Sequence, residues 1–460
     1  MESNNSLFEM QYGFRKGRSC EHALLTAQNE ILSSLSKKEI ALLLLIDFSK
    51  AFDMVDHDIL IDKLHKYGIR GNALKWMQSY LQGRQQYVTI DGSESTKTPI
   101  IHGVPQGSIL GPLLFIIYIN DLPNIYKIAK FILYADDANI IITGKDVNEV
   151  KSKVDELATA LTSWVDCNGL KLNLDKTNYM IFSNNRTHSE HNYNIKIANR
   201  YIKRIDSTKF LGVIINEKLN WNQHIAAIKQ KMSRHLGIMY KLKGIIPLSA
   251  RLSIYHSFVQ SHLNYCSLIW GFSTKTNIDG LFAIQKKGIR AVIPGFVNYF
   301  YKDGKIPHHT KPAFTEYNIL TIHSIIVKNA LLFLYRCHRH HDNHTLPPSV
   351  KQIIPESAPV IDATHETNTE WYELYSTGNY AKSIFYKGPL LFTDIVDDKL
   401  LRSETFLSFR NSIINILLDI QSAGEEEEWL PVNFKLFNIR GLRQSMRLES
   451  TYNSEQITQT

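Results

Sequence analysis

The sequence predicts an α+β fold, with a strand-containing first half followed by a helical, basic region. Three observations carry this. Ala41–Asp47 is apolar throughout until its closing acid, the pattern of a strand buried on both faces. Phe131–Thr143 is apolar on both sides of Asp136-Asp137, as two short strands joined by an acidic turn would be. From Trp221 onward, Ile225, Ile228, Met232, Leu236 and Met239 recur at helical spacing.

The remaining elements follow in order. A polar start and the basic glycine loop GFRKGRS (13–19) lead into a helix from about His22. His57–Tyr67 is helical, with Leu60, Leu64 and Tyr67 on one face. Tyr87–Ile90, then Asp91-Gly92, then polar residues to Ile101 read as a hairpin. Leu110–Leu122 is an apolar helix after the Pro105–Gly107 loop. Val150, Val154, Leu157, Leu161 and Trp164 alternate steps of four and three, which defines an amphipathic helix. Strand-like pieces fall near 178–183, 193–205 and 209–215. Four regions result: 1–40, a mixed 41–215, a helical 216–345, and 346–460, whose pattern assigns no role.

Composition narrows the function. Of 460 residues, 44% are hydrophobic and 21% charged, ordinary values for a globular chain. The cysteines stand alone at 20, 167, 266 and 337, which excludes a CxxC zinc ribbon and a disulfide-built scaffold. No apolar run reaches the roughly 18 residues of a membrane span. The polar N-terminus lacks a signal-peptide core, so the expectation is an intracellular chain without membrane attachment. The net charge is +8, yet Trp221–Thr310 alone holds twelve Lys and Arg against two acids. The basic excess is confined to that segment, which favours a polyanion as partner, nucleic acid first.

Two acidic sites stand out. Asp47 closes the run LLLLID, and Asp136-Asp137 interrupts FILYADDANI. Carboxylates at the ends of apolar strands are costly unless something compensates them. Adjacent strand residues point to opposite faces, so two neighbouring Asp share a site only at a tight turn. If the strands lie side by side, three carboxylates converge. Such hard oxygen ligands suit Mg²⁺, and paired ions of this kind serve nucleotidyl transfer.

The wording around these acids is specific. GFRKGRS (13–19), LLIDFSKAFDMVDH (44–57), GVPQGSILGPLLFIIYINDLP (103–123), FILYADDANI (131–140), LKLNLDKT (170–177) and KFLGVII (209–215) follow one another. Their order and spacing resemble the palm motifs of reverse transcriptases, and their wording resembles the non-LTR (LINE-type) retrotransposons, jockey-like elements above all. The resemblance covers about 11–300 and implies a right-hand polymerase with an antiparallel palm sheet (41–215), partial fingers (1–40) and a helical basic thumb (216–345). It implies RNA-templated DNA synthesis from dNTPs, with an RNA template, a DNA primer and two Mg²⁺ ions, Mn²⁺ being the substitute. A nuclear location fits such an element.

Motif by motif, the resemblance makes Asp47, Asp136 and Asp137 the catalytic metal ligands, joined by the backbone carbonyl of Phe48. Phe52 becomes the aromatic steric gate against a ribose 2′-hydroxyl. Gln106 and Gly107 lie in the loop against the incoming nucleotide. Lys176 becomes the proton donor to pyrophosphate, while Arg15 and Arg18 stand near the triphosphate. Phe210, Leu211 and Gly212 form the primer grip. Lys229, Arg234, Lys241 and Lys243 contact the nucleic-acid backbone. Because the motifs begin only at Gly13, the expectation is an N-terminally truncated element. The alternative is a catalytically inactive remnant that only binds nucleic acid. The tract Cys337, His338, His340, His341, His344 lacks the second cysteine of a zinc knuckle and reads as a polar helix end.

Overall fold

Strand β1 (Ile40–Ile46) occupies the centre of a five-stranded sheet, and every residue in it except Leu45 is buried. The sheet also holds β2 (Lys130–Tyr134), β3 (Asp137–Gly144), β4 (Asn178–Phe182) and β5 (Lys203–Arg204), in the order β5–β4–β1–β3–β2. β1 pairs antiparallel with β3 on one side and β4 on the other, and β2 pairs antiparallel with β3. The short β5 lies parallel to β4. A central strand flanked on both edges has no polar face to show, which explains the uninterrupted apolar run.

Alternation divides β1 between two layers. Ile40, Leu42, Leu44 and Ile46 share a core with Val150, Val154, Leu157 and Leu161 of helix α5 (Val147–Cys167). Helix α1 (Cys20–Ser36) packs against the sheet and buries Ala23, Leu24, Ala27 and Ile31. Asp146 caps α5 by accepting the amides of Asn148 and Glu149. Asp56 does the same for α2 (His57–Lys66).

The structure is a computed structural model. It describes residues 6–185, 187–188, 191, 193–293, 310–338, 346–351, 383–396, 400 and 405–423. The chain divides into two units, Met1–Leu211 with Pro347–Val350, and Gly212–Leu346 with Lys351–Thr460. The first unit includes the sheet, α1, α2, α3 (Gly71–Leu81), α4 (Leu110–Tyr118) and α5. Its segment 347–350 docks on the N-terminal segment, where Ser349 Oγ meets the Tyr12 hydroxyl at 3.2 Å.

In the second unit α6 (Asn222–Leu242) buries Ile225, Ile228, Met232, Leu236 and Met239, the stripe read from the sequence. It packs on α8 (Lys275–Val292), and α7 (Leu248–Tyr255) packs on α8 as well. Gln285 of α8 ties this layer together, donating to the Tyr255 hydroxyl and the Leu320 carbonyl. Helix α9 (Ile322–His338) packs against α10 (Ile384–Ile395) and α11 (Phe406–Ala423), with Tyr335 stacked on Phe409 at 3.8 Å. Among the described residues no helix is long and apolar enough to cross a membrane.

Three readings change in detail. The helix expected over Leu110–Leu122 stops at Tyr118, because Asn120 and Asp121 turn their side chains to other elements. Asn120 accepts from the Phe8 amide at 2.6 Å, and Asp121 pairs with Lys63 at 2.8 Å. The piece read as strand over 193–205 is three two-residue strands. Helix α3, bearing a single fully buried residue, Leu81, was not apparent from periodicity. Of the Cys/His tract, His340, His341 and His344 lie outside the described residues.

Candidate active site

The site is built where β1 and β3 end side by side. Their register pairs Ile46 with Ala138, and continuing it by one residue sets Asp47 opposite Asp137. Residues opposed in this way bring their Cβ atoms to about 5 Å. Asp136 sits in the two-residue turn between β2 and β3, closed by the pair Tyr134–Asp137, with Ala135 at φ 54°. The turn removes the strand alternation that would otherwise send Asp136 and Asp137 to opposite faces.

The carboxylates interact. Asp137 is held above its ordinary pKa, first by desolvation and then by the negative charges of Asp136 and Asp47. Asp136 and Asp137 are both exposed, so this desolvation is that of a crowded rim rather than a closed interior. Among the described residues no group of three or more His, Cys, Asp or Glu side chains is placed so that it could hold a metal ion as it stands. The donor set still fits hard divalent cations: it is all oxygen, and its mutual repulsion is the kind a cation relieves.

A second layer fixes the backbone of Asp47. Its amide donates to the Thr177 hydroxyl at 3.3 Å, and its carbonyl accepts from the Asn173 amide at 2.8 Å. Thr177 is fully buried and its hydroxyl donates onward to the Asn173 carbonyl. The Ser49 amide donates to Lys171 at 2.8 Å, completing a bridge between Phe48 and Leu172. The Asp47 carbonyl is thereby engaged on the 171–173 side. LKLNLDKT is therefore first a clamp on the end of β1. Lys176 is exposed within it.

The segment that follows Asp47 feeds an aromatic cluster. Phe52 stacks on buried Phe115 at 4.4 Å, and Phe14 meets it edge-on at 6.5 Å. Loop 102–107 is stitched alongside: the Val104 amide donates to Phe52 at 2.9 Å, the Gly103 amide to Val55 at 2.7 Å, and His57 Nε2 contacts the Gly103 carbonyl at 2.8 Å. Gly103 has φ +90°, and a Cβ there would lie 2.9 Å from the Asp53 backbone. Gln106 donates from Nε2 to Asp53 at 2.8 Å. Gly107 has φ +78° and open space in front of it.

Other candidates have structural partners. Arg15 is buried and donates to the Phe8 carbonyl at 2.7 Å, so it braces its own loop rather than standing open to a triphosphate. Arg18 donates to the Glu9 carbonyl and lies 5.7 Å over the Tyr12 ring. Phe210 is buried at the end of β6 (Ser207–Phe210), and Leu211 and Gly212 have φ of 44° and 85° before β7 (Val213–Asn216). In the second unit the Tyr265 ring stands 3.0 Å from where a side chain on Gly212 would begin. On α6, Arg234 and Lys241 are exposed, while Lys243 donates to the Arg290 carbonyl at 3.0 Å and Lys229 lies across Gly280. Lys231, not singled out from the sequence, is also exposed.

Sequence reading also missed Gln11. It bridges to Leu133 at the sheet edge, is buried, and accepts through Oε1 from the Ala135 amide at 3.1 Å. Position 11 precedes the glycine loop and carries no charge, so nothing in its type marks it.

The first unit thus sets carboxylates at adjoining strand ends of an antiparallel sheet, with an aromatic cluster and a glycine-bearing loop in the same unit. Residues 1–215 match the reverse transcriptase (RNA-dependent DNA polymerase) family. The chain is 29% identical over 357 residues to "Probable RNA-directed DNA polymerase from transposon BS" of Drosophila melanogaster, covering 74% of this chain and 38% of that one. It is 27% identical over 299 residues to "Probable RNA-directed DNA polymerase from transposon X-element" of the same fly, covering 64% and 32%. "RNA-directed DNA polymerase from mobile element jockey", again from that fly, is 27% identical over 294 residues, covering 62% and 32%. The likeness to jockey-type elements expected from the motifs is borne out, and the chain spans about a third of the length of these relatives.

Proposed function

We propose that this chain synthesises DNA on an RNA template by two-metal nucleotidyl transfer, as part of retrotransposon copying. What supports this is that the register sets Asp47 opposite Asp137, with Asp136 in the adjoining turn, and that the charges of Asp136 and Asp47 both act on Asp137. Asp47, Asp136 and Asp137, with the Phe48 carbonyl, would hold two divalent ions, Mg²⁺ first. When bound, the ions supply activation of the primer 3′-hydroxyl and neutralisation of the pyrophosphate.

The protein's own groups do the rest. Thr177 and Asn173 hold Asp47 in place. Phe52 presents a ring to the sugar, excluding a 2′-hydroxyl and so favouring dNTPs. Gln106 and Gly107 border the incoming base. Lys176, exposed on its turn, is the proton donor to the leaving pyrophosphate. Leu211 and Gly212 supply the turn that grips the primer end. The second unit acts as the thumb, tracking the template–primer backbone through phosphate contacts without reading sequence.

Primer extension on an RNA template tests this. Purified protein should extend a DNA primer with dNTPs and Mg²⁺, and should stop when Mg²⁺ is chelated. Template–primer binding with no extension under any divalent ion would instead establish the inactive binding remnant.

A further inference from the structure

Phe14 combines two features that seldom occur together without a purpose. Its side chain is 60% exposed, and its backbone has φ 55°, a region that bulky residues rarely enter. The loop around it is fixed on both sides. Before it, the Tyr12 amide donates to Leu133 at 2.8 Å, and Gly13 presses on the Ala135 backbone. After it, Arg15 donates to the Phe8 carbonyl. A strained, exposed ring gains little from burial, so packing alone does not account for its position.

The position is next to the sugar gate. Phe14 meets Phe52 at a centroid distance of 6.5 Å and an interplanar angle of 85°. Phe115 stacks on Phe52 at 4.4 Å and 23°. Phe52 thus touches both a buried ring and an exposed one. To admit a ribose, Phe52 must tilt away from the 2′-hydroxyl. Phe115 resists tilting toward the core, and Phe14 resists tilting toward solvent.

We propose that Phe14 is a specificity-determining residue, the outer wall of the sugar pocket that holds Phe52 in its excluding position. Its open face is apolar, so it accepts the 2′-methylene of a deoxynucleotide and leaves a 2′-hydroxyl without a hydrogen-bond partner. The inference rests on the reading of this site as a dNTP-using polymerase.

The test compares wild type with Phe14→Ala, Phe14→Tyr and Phe52→Val on an RNA template with a DNA primer. Incorporation of ATP relative to dATP is measured, together with equilibrium binding of each nucleotide to the complex on a chain-terminated primer. Phe14→Ala should raise the ribonucleotide ratio about two- to tenfold, the worth of one aromatic pair. Phe14→Tyr keeps the ring and should stay within roughly twofold of wild type on the same scale. If Phe14→Ala folds poorly, Phe14→Leu keeps the apolar bulk without the ring edge and should relax selection in the same direction. Unchanged selection in both Ala and Leu variants, where Phe52→Val relaxes it, overturns the role of Phe14 alone. Wild-type protein that neither extends nor binds either nucleotide overturns the reading of the site, and this role with it.

Discussion

Gln11 and Ala135 lie 124 residues apart, and a buried hydrogen bond of 3.1 Å joins the side-chain oxygen of the first to the amide of the second. The same oxygen accepts from the Gly13 amide at 2.9 Å. Two amide donors on one atom identify it as the oxygen of the amide group. The turn that presents Asp136 is therefore held from the N-terminal segment, and Gly13 lies close enough that a Cβ would sit 2.5 Å from the Ala135 nitrogen.

Gln11→Leu should strand two buried donors and lower the denaturant stability of the first unit by roughly 2–6 kcal/mol, at about 1–3 kcal/mol for each unsatisfied group. Gly13→Ala meets backbone rather than a flexible side chain, so the turn itself must move. It should reduce extension more than it reduces template–primer affinity. Wild-type extension by Gly13→Ala would show that the turn does not depend on this contact.

The carboxylates carry the sharpest catalytic test. Asp47→Asn and Asp136→Asn should each abolish detectable extension, because each removes a charged ligand from both proposed ions. Template–primer affinity should stay within a few-fold, since phosphate contacts elsewhere supply it. Gel-based extension with a parallel binding titration checks both halves. Normal extension by either variant removes the residue from the catalytic set.

The acids were legible because they contradict their surroundings: Asp47 and Asp136-Asp137 interrupt apolar strands, and charge is costly there. The β1 core and the buried stripe of α6 were legible because periodicity reports burial directly. The positioning residues were not. Gln11, Asn173 and Thr177 act through single backbone hydrogen bonds to distant segments, and polar residues of that kind occur in any loop. The exposed basic face of α6 was only partly legible. Charge counting finds the basic segment, but it does not show that Lys243 is turned to the Arg290 carbonyl.

His224 should make the second unit sensitive to acid. It accepts the Ile214 amide at 3.3 Å and is buried, packing edge-on against Trp270. Burial, with Lys231 adding to it, pushes its pKa down to about 4. The folded state prefers neutral imidazole, so the contribution is fully present above the unfolded pKa of about 6.5 and is lost as pH falls toward the folded value. Between pH 7 and pH 5 the loss should be roughly 2 kcal/mol. His224→Asn offers an acceptor without a titrating ring. It should be less stable at pH 7 and show a shallower acid slope in denaturant titrations. An identical slope in wild type and variant would assign the acid sensitivity to other groups.

The exposed lysines and arginine of α6 set the last expectation. Arg234 and Lys241 are seven residues apart, two turns of helix, and so share a face; Lys231 stands exposed one turn before Arg234. Lys229 and Lys243 are engaged at Gly280 and the Arg290 carbonyl. Neutralising Lys231, Arg234 and Lys241 together should flatten the salt dependence of template–primer binding by about three contacts, at about 0.9 in log K per log salt for each. Neutralising Lys229, Arg234, Lys241 and Lys243 should flatten it by only about two on the same scale, although one more charge is removed. The quadruple variant should also lose thermal stability, because Lys243 no longer caps the end of α8. Binding isotherms across a salt series measure both slopes. A larger effect from the quadruple variant would mean that Lys229 and Lys243 leave their protein partners to meet phosphate. No effect from either would make this face of α6 a solvated surface and remove the second unit from the nucleic-acid interface.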